Sequence, residues 1–230
     1  MRKHSLFVIV PLLAFSSNLS SGCAPRAFED AEALYAFVNS EEYAAVVHEE
    51  RGGFRFTARY LPPDAMMVNH YRAYEEQCER VIADRSLSEL DRTRSLNRLR
   101  REVERVRSGY EETWSFQLTI EPLNGRDLVY EFEGAALIGG YESWLQTLMF
   151  GLQAHLVLSN KTGTAPPMGY HMDRTFGTVQ SRTFLISFAR TGELEKFEEG
   201  AELVVGEFGL GTGSVTFRFE QLSDTVEYLL

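Results

Sequence analysis

Cysteine and histidine are scarce in this sequence, and their scarcity excludes several kinds of protein. The 230 residues contain two cysteines, Cys23 and Cys78, and five histidines. Two cysteines cannot build the framework of a disulfide-rich secreted scaffold, and no Cys-x-x-Cys pair is present to begin a zinc site. No two histidines have the four-residue spacing that places a pair of metal ligands on one face of a helix.

Positive charge and long hydrophobic runs are also in short supply. The chain has 23 basic against 33 acidic residues, a net charge of −10, which argues against broad nucleic-acid binding because phosphates would be repelled. What is present, 44% hydrophobic and 12% aromatic residues over 230 positions, is typical of one globular domain with a sizeable core. The composition excludes a disordered chain, a collagen and a coiled-coil rod.

The first 22 residues have the three-part plan of a secretory signal peptide. A basic segment, residues 1–4 (MRKH), precedes the apolar run of residues 5–15, and small polar residues follow. The apolar run is about 11 residues long, whereas a helix that spans a bilayer needs about 20. The alternative is a buried N-terminal helix or strand of a soluble protein.

Residues 19–23 (LSSGC) resemble the lipobox of bacterial lipoproteins, although Leu19 lies one place further upstream than usual and Ser20 occupies its position. The resemblance implies that Cys23 becomes the first residue of the mature protein and carries the acyl chains. It also implies that residues 23–27 form the lipidated terminus and a short tether. Ala24 resembles the signal for sorting to the outer membrane. The alternative is an ordinary secretory signal followed by an unrelated cysteine.

The second cysteine has two possible fates. If Cys23 is acylated, Cys78 has no partner, and its place in a helical pattern predicts a thiol packed among apolar neighbours. If Cys23 is not acylated, a disulfide between Cys23 and Cys78 becomes possible.

Period-two alternation of apolar residues predicts a mainly β fold for residues 28–230. The pattern is clear in residues 54–60, 114–120 and 215–219, and about eight short strands with turns between them can be counted. We therefore expect a single α+β domain built on an immunoglobulin-like or related antiparallel β-sandwich.

An α-helical hairpin is predicted as an insertion at about residues 64–108. Helical spacing relates Met67, Tyr71, Tyr74, Cys78 and Val81, and then Leu96, Leu99, Val103 and Val106. Residues 86–89 (SLSE) interrupt the pattern, and Asp64 has the position of an N-cap. Two apolar stripes joined by a short break predict an antiparallel pair of helices.

The second helix of this hairpin is rich in arginine, with eight arginines between Arg85 and Arg107 against four acidic residues. One interpretation is a solvated face with intrahelical pairs such as Glu102–Arg105. The other is a basic surface for anionic lipid headgroups or an acidic partner. The candidate residues for such a surface are Arg94, Arg98, Arg101 and Arg105.

Catalytic motifs are not evident. The glycine-rich segment 206–213 is followed by an alternating strand rather than a helix, so it predicts a hairpin turn and not a dinucleotide site. There is no Gly-x-Ser-x-Gly motif. His155, His171 and Asp173 are weak candidates for metal ligands. We predict a protein that is not an enzyme and binds no cofactor.

The body of the chain resembles uncharacterised cell-envelope lipoproteins of the Bacteroidota kind. The similar segments are residues 35–39 (YAFVN), residues 56–64 (FTARYLPPD) and the hairpin that ends in residues 217–219 (FRF). The resemblance implies an outer-membrane lipid anchor facing the periplasm or the surface. The expected function is a non-catalytic binding or assembly module with a protein partner in the envelope. The alternative is an envelope hydrolase or metal-dependent enzyme that uses the loop at residues 159–175. The oligomeric state stays open.

Overall fold

Two antiparallel sheets and a set of helices make up the fold, which confirms the predicted mainly β, α+β class. The computed structural model describes residues 25–131, 140–173, 180–194, 200–220, 222 and 226–230. The segment predicted to be a signal peptide, and Cys23, therefore lie outside the described residues. No helix in the described part of the chain is long and apolar enough to cross a membrane.

The larger sheet has five strands in the order β2-β3-β4-β8-β7, and the smaller has four in the order β10-β9-β5-β6. The strands of the larger sheet are β2 (Val46–Arg51), β3 (Phe54–Leu61), β4 (Thr113–Pro122), β7 (Gly169–Met172) and β8 (Arg182–Ala189). Those of the smaller are β5 (Leu156–Ser159), β6 (Thr164–Ala165), β9 (Ala201–Val205) and β10 (Val215–Phe219). A separate parallel pair joins β1 (Arg26–Phe28) to β11 (Val226–Tyr228), next to the two ends of the described chain.

The core lies between the inner faces of the two sheets. Every second residue of β3, β4, β8 and β9 is buried, as the period-two alternation predicts. The ring centroids of Phe116 on β4 and Phe219 on β10 are 5.3 Å apart, so side chains of the two sheets meet directly. The Trp114 indole, also on β4, donates to the carbonyl oxygen of Leu194 at 2.7 Å, which satisfies its buried N–H group.

Six α-helices complete the described part of the structure. They are α1 (Ala31–Val38), α2 (Pro63–Met66), α3 (Val68–Ala83), α4 (Glu89–Glu111), α5 (Leu128–Glu131) and α6 (Gly140–Gln146). The predicted hairpin is formed by α3 and α4, which pack against each other. The predicted interruption at residues 86–89 separates them, and Ser88 caps α4 by accepting a hydrogen bond from the Asp91 backbone at 3.1 Å. Helix α4 continues three residues beyond the predicted end at Ser108.

Three local predictions were wrong. Asp64 is not an N-cap; Pro62 holds that position, and the Asp64 side chain is buried in contacts described below. The apolar spacing of the sequence predicts a helix from Phe28 to Phe37, but Phe28 lies in β1, paired with Tyr228 of β11, and α1 begins only after Asp30, which caps it. The alternation of apolar residues from Leu152 to Leu158 predicts a strand, but residues Leu152–His155 form a turn of 3-10 helix and the strand begins at Leu156.

Candidate functional site

The predicted basic surface is present as a row of exposed guanidinium groups along α4. Arg94, Arg98, Arg101 and Arg105 follow one another at spacings of four, three and four residues, so they share one face of the helix. We call these four residues the arginine stripe. Val103, the buried residue of α4, lies on the opposite face, which turns the stripe away from the core.

Carboxylates accompany the stripe only at its two ends. Arg94 Nη1 lies 3.6 Å from Asp91 Oδ1, and Arg105 Nη2 lies 2.6 Å from Glu102 Oε1, the pair that the sequence predicted. These contacts are solvent-exposed and contribute little to stability. Arg98 and Arg101, in the middle, have no ion pair with any residue that the structure describes. Their guanidinium groups are therefore the available cations of the stripe.

The tip of the hairpin carries exposed apolar side chains. Ile82, near the end of α3, is 59% exposed, and Leu90, in the first turn of α4, is 60% exposed. Leu90 lies four residues before Arg94, so it extends the same face of α4 toward the tip. Leu90 thus adds an apolar side chain to the exposed face of α4 that carries the stripe.

The distal half of the hairpin, residues 76–102, contributes no side chain to the hydrophobic core. From Arg72 to Glu102 every residue is half-buried or exposed, whereas the residues at the base of the hairpin, such as Tyr71 and Val103, are buried. Arg72 and Glu75 still contact α1 and β11, and beyond them the hairpin is held by the packing of α3 on α4. The hairpin projects its stripe away from the sandwich.

A buried carboxylate locks the base of this hairpin to the end of the chain. Asp64 is 2% exposed. Its Oδ1 accepts from Arg107 Nε at 2.6 Å and from the Tyr71 hydroxyl, and its Oδ2 accepts from Arg107 Nη2 at 3.2 Å and from the Tyr228 backbone N–H at 3.1 Å. We call Asp64, Tyr71, Arg107 and Tyr228 the root latch. It ties α2, α3, α4 and β11 together through one fully partnered charge.

A second carboxylate, Glu75, extends the root latch to the beginning of the chain. Glu75 Oε1 accepts from the Tyr228 hydroxyl at 2.6 Å and from the backbone N–H of Ala31, the first residue of α1, at 2.8 Å. The rings of Tyr71 and Tyr228 are stacked with centroids 3.9 Å apart. Both ends of the described chain therefore meet at the base of the hairpin.

Electrostatics at the root latch favour neutral tyrosines and a charged arginine. Burial, and then the hydrogen bond to Asp64, raise the pKa of Tyr71 well above its usual value. Burial and the hydrogen bond to Glu75 raise the pKa of Tyr228 in the same way. The hydrogen bonds to Asp64 raise the pKa of the Arg107 guanidinium despite its partial burial. The two tyrosine hydroxyls therefore keep their protons, and Arg107 keeps its charge, near neutral pH.

The glycine-rich segment forms the loop of the β9–β10 hairpin, as predicted. Its backbone N–H groups bind the carboxylate of Glu207, a residue of the same loop. The Glu207 carboxylate accepts from the backbone N–H groups of Gly209, Gly211 and Gly213 at 2.6, 3.1 and 2.5 Å. Desolvation opposes the charge, but these backbone donors outweigh it and lower the pKa of Glu207. The donors that could have held a ligand phosphate already have an internal acceptor.

The weak metal candidates are distributed over both sheets. His155 ends the 3-10 turn before β5 in the smaller sheet, and its carbonyl oxygen accepts from the Gly206 N–H at 2.6 Å. His171 lies on β7, the edge strand of the larger sheet, and Asp173 follows that strand. Among the described residues, no three histidine, cysteine or acidic side chains are placed to hold a metal ion. The structure does not assemble the three candidates into a site.

An open groove of about 470 Å³ separates the facing edge strands β2 and β10. Arg51 bridges it at one end by donating to the carbonyl oxygen of Ser214 at 2.6 Å. Glu49 and Arg218 are among the residues that line the groove, so its charges are mixed. This arrangement supports contact between the two sheets and does not define a catalytic chemistry.

Cys78, the cysteine within the described residues, is half-buried on α3 and forms no disulfide. The burial predicted for it is thus partial. Sequence reasoning missed the root latch, because an aspartate after two prolines has the signature of a helix N-cap and nothing local indicates its partners 43 and 164 residues away.

Comparisons with known proteins do not place the chain in a family. No family model matches it, and neither the curated proteins nor the solved structures give a significant match.

Proposed function

We propose that this protein is a membrane-anchored lipoprotein of the bacterial cell envelope, attached through Cys23 and acting as a non-catalytic binding or assembly module. Its helical hairpin is the docking element. The site of action is the outer membrane, on the periplasmic side or at the surface.

The position of Cys23 carries the proposal. Strand β1 begins at Arg26, three residues after Cys23, and pairs with β11 in the folded domain. A lipid on Cys23 would therefore hold the domain directly at the membrane, without a flexible spacer. Several acyl chains give stable anchoring, whereas a single chain binds only marginally.

The hairpin supports the binding role. Its base is fixed by the root latch, and its exposed face displays the arginine stripe. A rigid mount with an exposed charged face is typical of a recognition element, since little conformational entropy is lost when it docks.

The intact mass of the mature protein from a membrane fraction tests the anchor. We expect a chain that begins at Cys23 and carries a multi-acyl mass. Cys23→Ala should remove the acyl mass and lower the membrane-bound fraction, because the nucleophile for acylation is lost. Cys78→Ser is the matched control, and it should leave both mass and fractionation as in the wild type.

An unmodified Cys23 in the wild-type protein, or a membrane fraction unchanged by Cys23→Ala after removal of the signal peptide, would contradict the anchor. Mass is the decisive readout, because an uncleaved signal peptide could itself retain the variant at the membrane.

A further inference from the structure

We infer that the arginine stripe of α4 is a docking surface for the anionic phospholipid headgroups of the membrane. This inference rests on the proposed function in one respect, since it takes the membrane as the surface beside the anchored domain. It deepens that function by naming the chemistry that the hairpin recognises.

The charge distribution of the stripe is the first argument. Four arginines share the exposed face, and the two carboxylates beside them, Asp91 and Glu102, engage only the end members. The central pair, Arg98 and Arg101, has no ion-pair partner among the described residues, so their guanidinium groups can contact external anions. Guanidinium groups suit phosphate oxygens, because their planar N–H donors can form two parallel hydrogen bonds.

The apolar residues at the tip are the second argument. Leu90 continues the line of the stripe, and Ile82 is exposed at the same end of the hairpin. Helices that lie in the membrane interface combine basic residues with exposed apolar side chains, which enter the boundary between headgroups and acyl chains.

The position of the N-terminal segment is the third argument. The 24 residues before Pro25 lie outside the description, and the described chain starts at the base of the hairpin. Helix α1 is joined to α3 there by the Glu75–Ala31 hydrogen bond at 2.8 Å and the Arg72–Glu32 ion pair at 2.6 Å. Cys23 precedes β1 by three residues, so a lipid on it would bring the base of the hairpin to the bilayer, and α4 extends about 34 Å from that base at 1.5 Å per residue.

The shape of the stripe favours a membrane over an acidic protein. A single row of cations along a convex helix presents its charge to an extended anionic surface. The open groove between β2 and β10 lies on the sandwich and not along the stripe, so it offers a protein partner no recess beside these arginines. An acidic protein partner is retained as an outcome of the test.

Vesicle sedimentation tests the surface separately from the anchor. The described fold begins at Pro25, so a chain of residues 24–230 keeps every contact given above and has no site for acylation. This chain is mixed with vesicles of phosphatidylcholine alone, or of phosphatidylcholine with phosphatidylglycerol. We expect binding to the anionic vesicles only, with an affinity that falls as salt is added.

The paired substitution Arg98→Gln with Arg101→Gln should weaken binding to the anionic vesicles about 25-fold, because each arginine near such a surface contributes about fivefold. The matched control is Arg55→Gln with Arg218→Gln. It removes the same charge from two exposed arginines of the sandwich and should change binding less than twofold. Circular dichroism of each variant verifies that the helices are retained.

Equal binding to both kinds of vesicle, no binding to either, or an equal loss in the sandwich variant would overturn the inference. So would capture of an acidic protein by the stripe without any binding to anionic vesicles. The outcomes are separate from those of the proposed function. If Cys23 is acylated but the unacylated chain binds no vesicles, the anchor is supported and the lipid-binding surface is contradicted. If Cys23 is unmodified but the chain binds anionic vesicles, the lipid-binding surface is supported and the anchor is contradicted.

Discussion

Arg107 and Arg98 lie on the same helix, nine residues apart, and have opposite roles. Arg107 donates two hydrogen bonds to the buried carboxylate of Asp64 and holds α4 against α2, α3 and β11. Arg98 extends from the exposed face, and the described part of the chain gives it no ion-pair partner. One arginine fixes the base of the hairpin, and the other belongs to its free surface.

The comparison shows that burial determines whether a charged side chain of this hairpin contributes to stability. A charge removed from water must be fully partnered, and loss of one partner leaves the other buried and uncompensated. A charge in water contributes little to stability and is free to meet a ligand. The same residue type therefore stabilises the fold in the root latch and is exposed to solvent in the arginine stripe.

The largest effect is expected from the centre of the root latch. Asp64→Ala should lower the free energy of unfolding by about 3–5 kcal/mol, because Arg107 and the Tyr71 hydroxyl lose their buried acceptor. Urea denaturation followed by circular dichroism measures the change. The control Glu79→Ala removes an exposed carboxylate of α3 and should cost less than about 0.5 kcal/mol. Similar losses of unfolding free energy in both variants would contradict the difference between the base and the distal half of the hairpin.

A smaller effect is expected from the Tyr71 hydroxyl. Tyr71→Phe should cost about 1.5 kcal/mol at neutral pH, because it removes one hydrogen bond to a charged group. The pKa of Tyr71 is raised by folding, so the folded chain keeps the proton where the unfolded chain loses it. Its contribution is complete below about pH 10, the ordinary tyrosine pKa, and is lost as the pH rises further.

Stability measured in urea between pH 7 and pH 11 should therefore fall less steeply for Tyr71→Phe than for the wild type. Tyr110→Phe is the control, since Tyr110 is half-buried on α4 outside the root latch. Parallel curves for the wild type and Tyr71→Phe would show that the Tyr71 hydroxyl does not titrate with folding.

A substitution at the N-cap of α4 tests the stability of the distal half of the hairpin. Ser88→Ala should cost about 1 kcal/mol, because the Asp91 backbone N–H loses its side-chain acceptor. Ser108→Ala removes another exposed serine hydroxyl of α4, one that bonds only to the Arg105 carbonyl, and should cost less than about 0.5 kcal/mol. Hydrogen exchange resolved along the chain should place the Ser88→Ala effect in the distal half. Increased exchange in the sandwich strands would mean that tip and core unfold together.

The smallest effect on stability is expected from the arginine stripe itself. Arg98→Gln with Arg101→Gln should change the free energy of unfolding by less than about 0.5 kcal/mol, because both side chains are exposed. Arg107→Gln, one residue of the same type on the same helix, should cost about 3 kcal/mol or more in the same urea titration, since Asp64 stays buried. A loss from the paired variant as large as that from Arg107→Gln would assign the stripe to the fold rather than to its surface.

Local patterns in the sequence were sufficient for much of the secondary structure. The alternation of residues 54–60 and 114–120 predicted β3 and β4, since a half-buried strand repeats every two residues. The serine-rich break at residues 86–89 predicted where α3 and α4 separate. The apolar spacing of Leu96, Leu99 and Val103 left Arg94, Arg98, Arg101 and Arg105 on the opposite side of α4, so the stripe could be predicted as well.

Short and polar features were harder to predict. Three-residue strands such as β1 and β11 have too few positions for a period to be recognised, and they form because they pair across the whole length of the chain. Asp64 was misassigned because its three partners come from other parts of the sequence. Its burial follows from their convergence and not from its neighbours.

The sequence by itself determined the mainly β class, the inserted hairpin and the exposed arginines, because each depends on the periodicity of neighbouring residues. It also contains the motif on which the lipid anchor is proposed. Only the tertiary structure decided the order of the strands, the closure of the two chain ends at the base of the hairpin, and the different roles of Arg107 and Arg98. Those outcomes depend on which distant groups are buried together, and the pattern of neighbouring residues does not predict which groups these are.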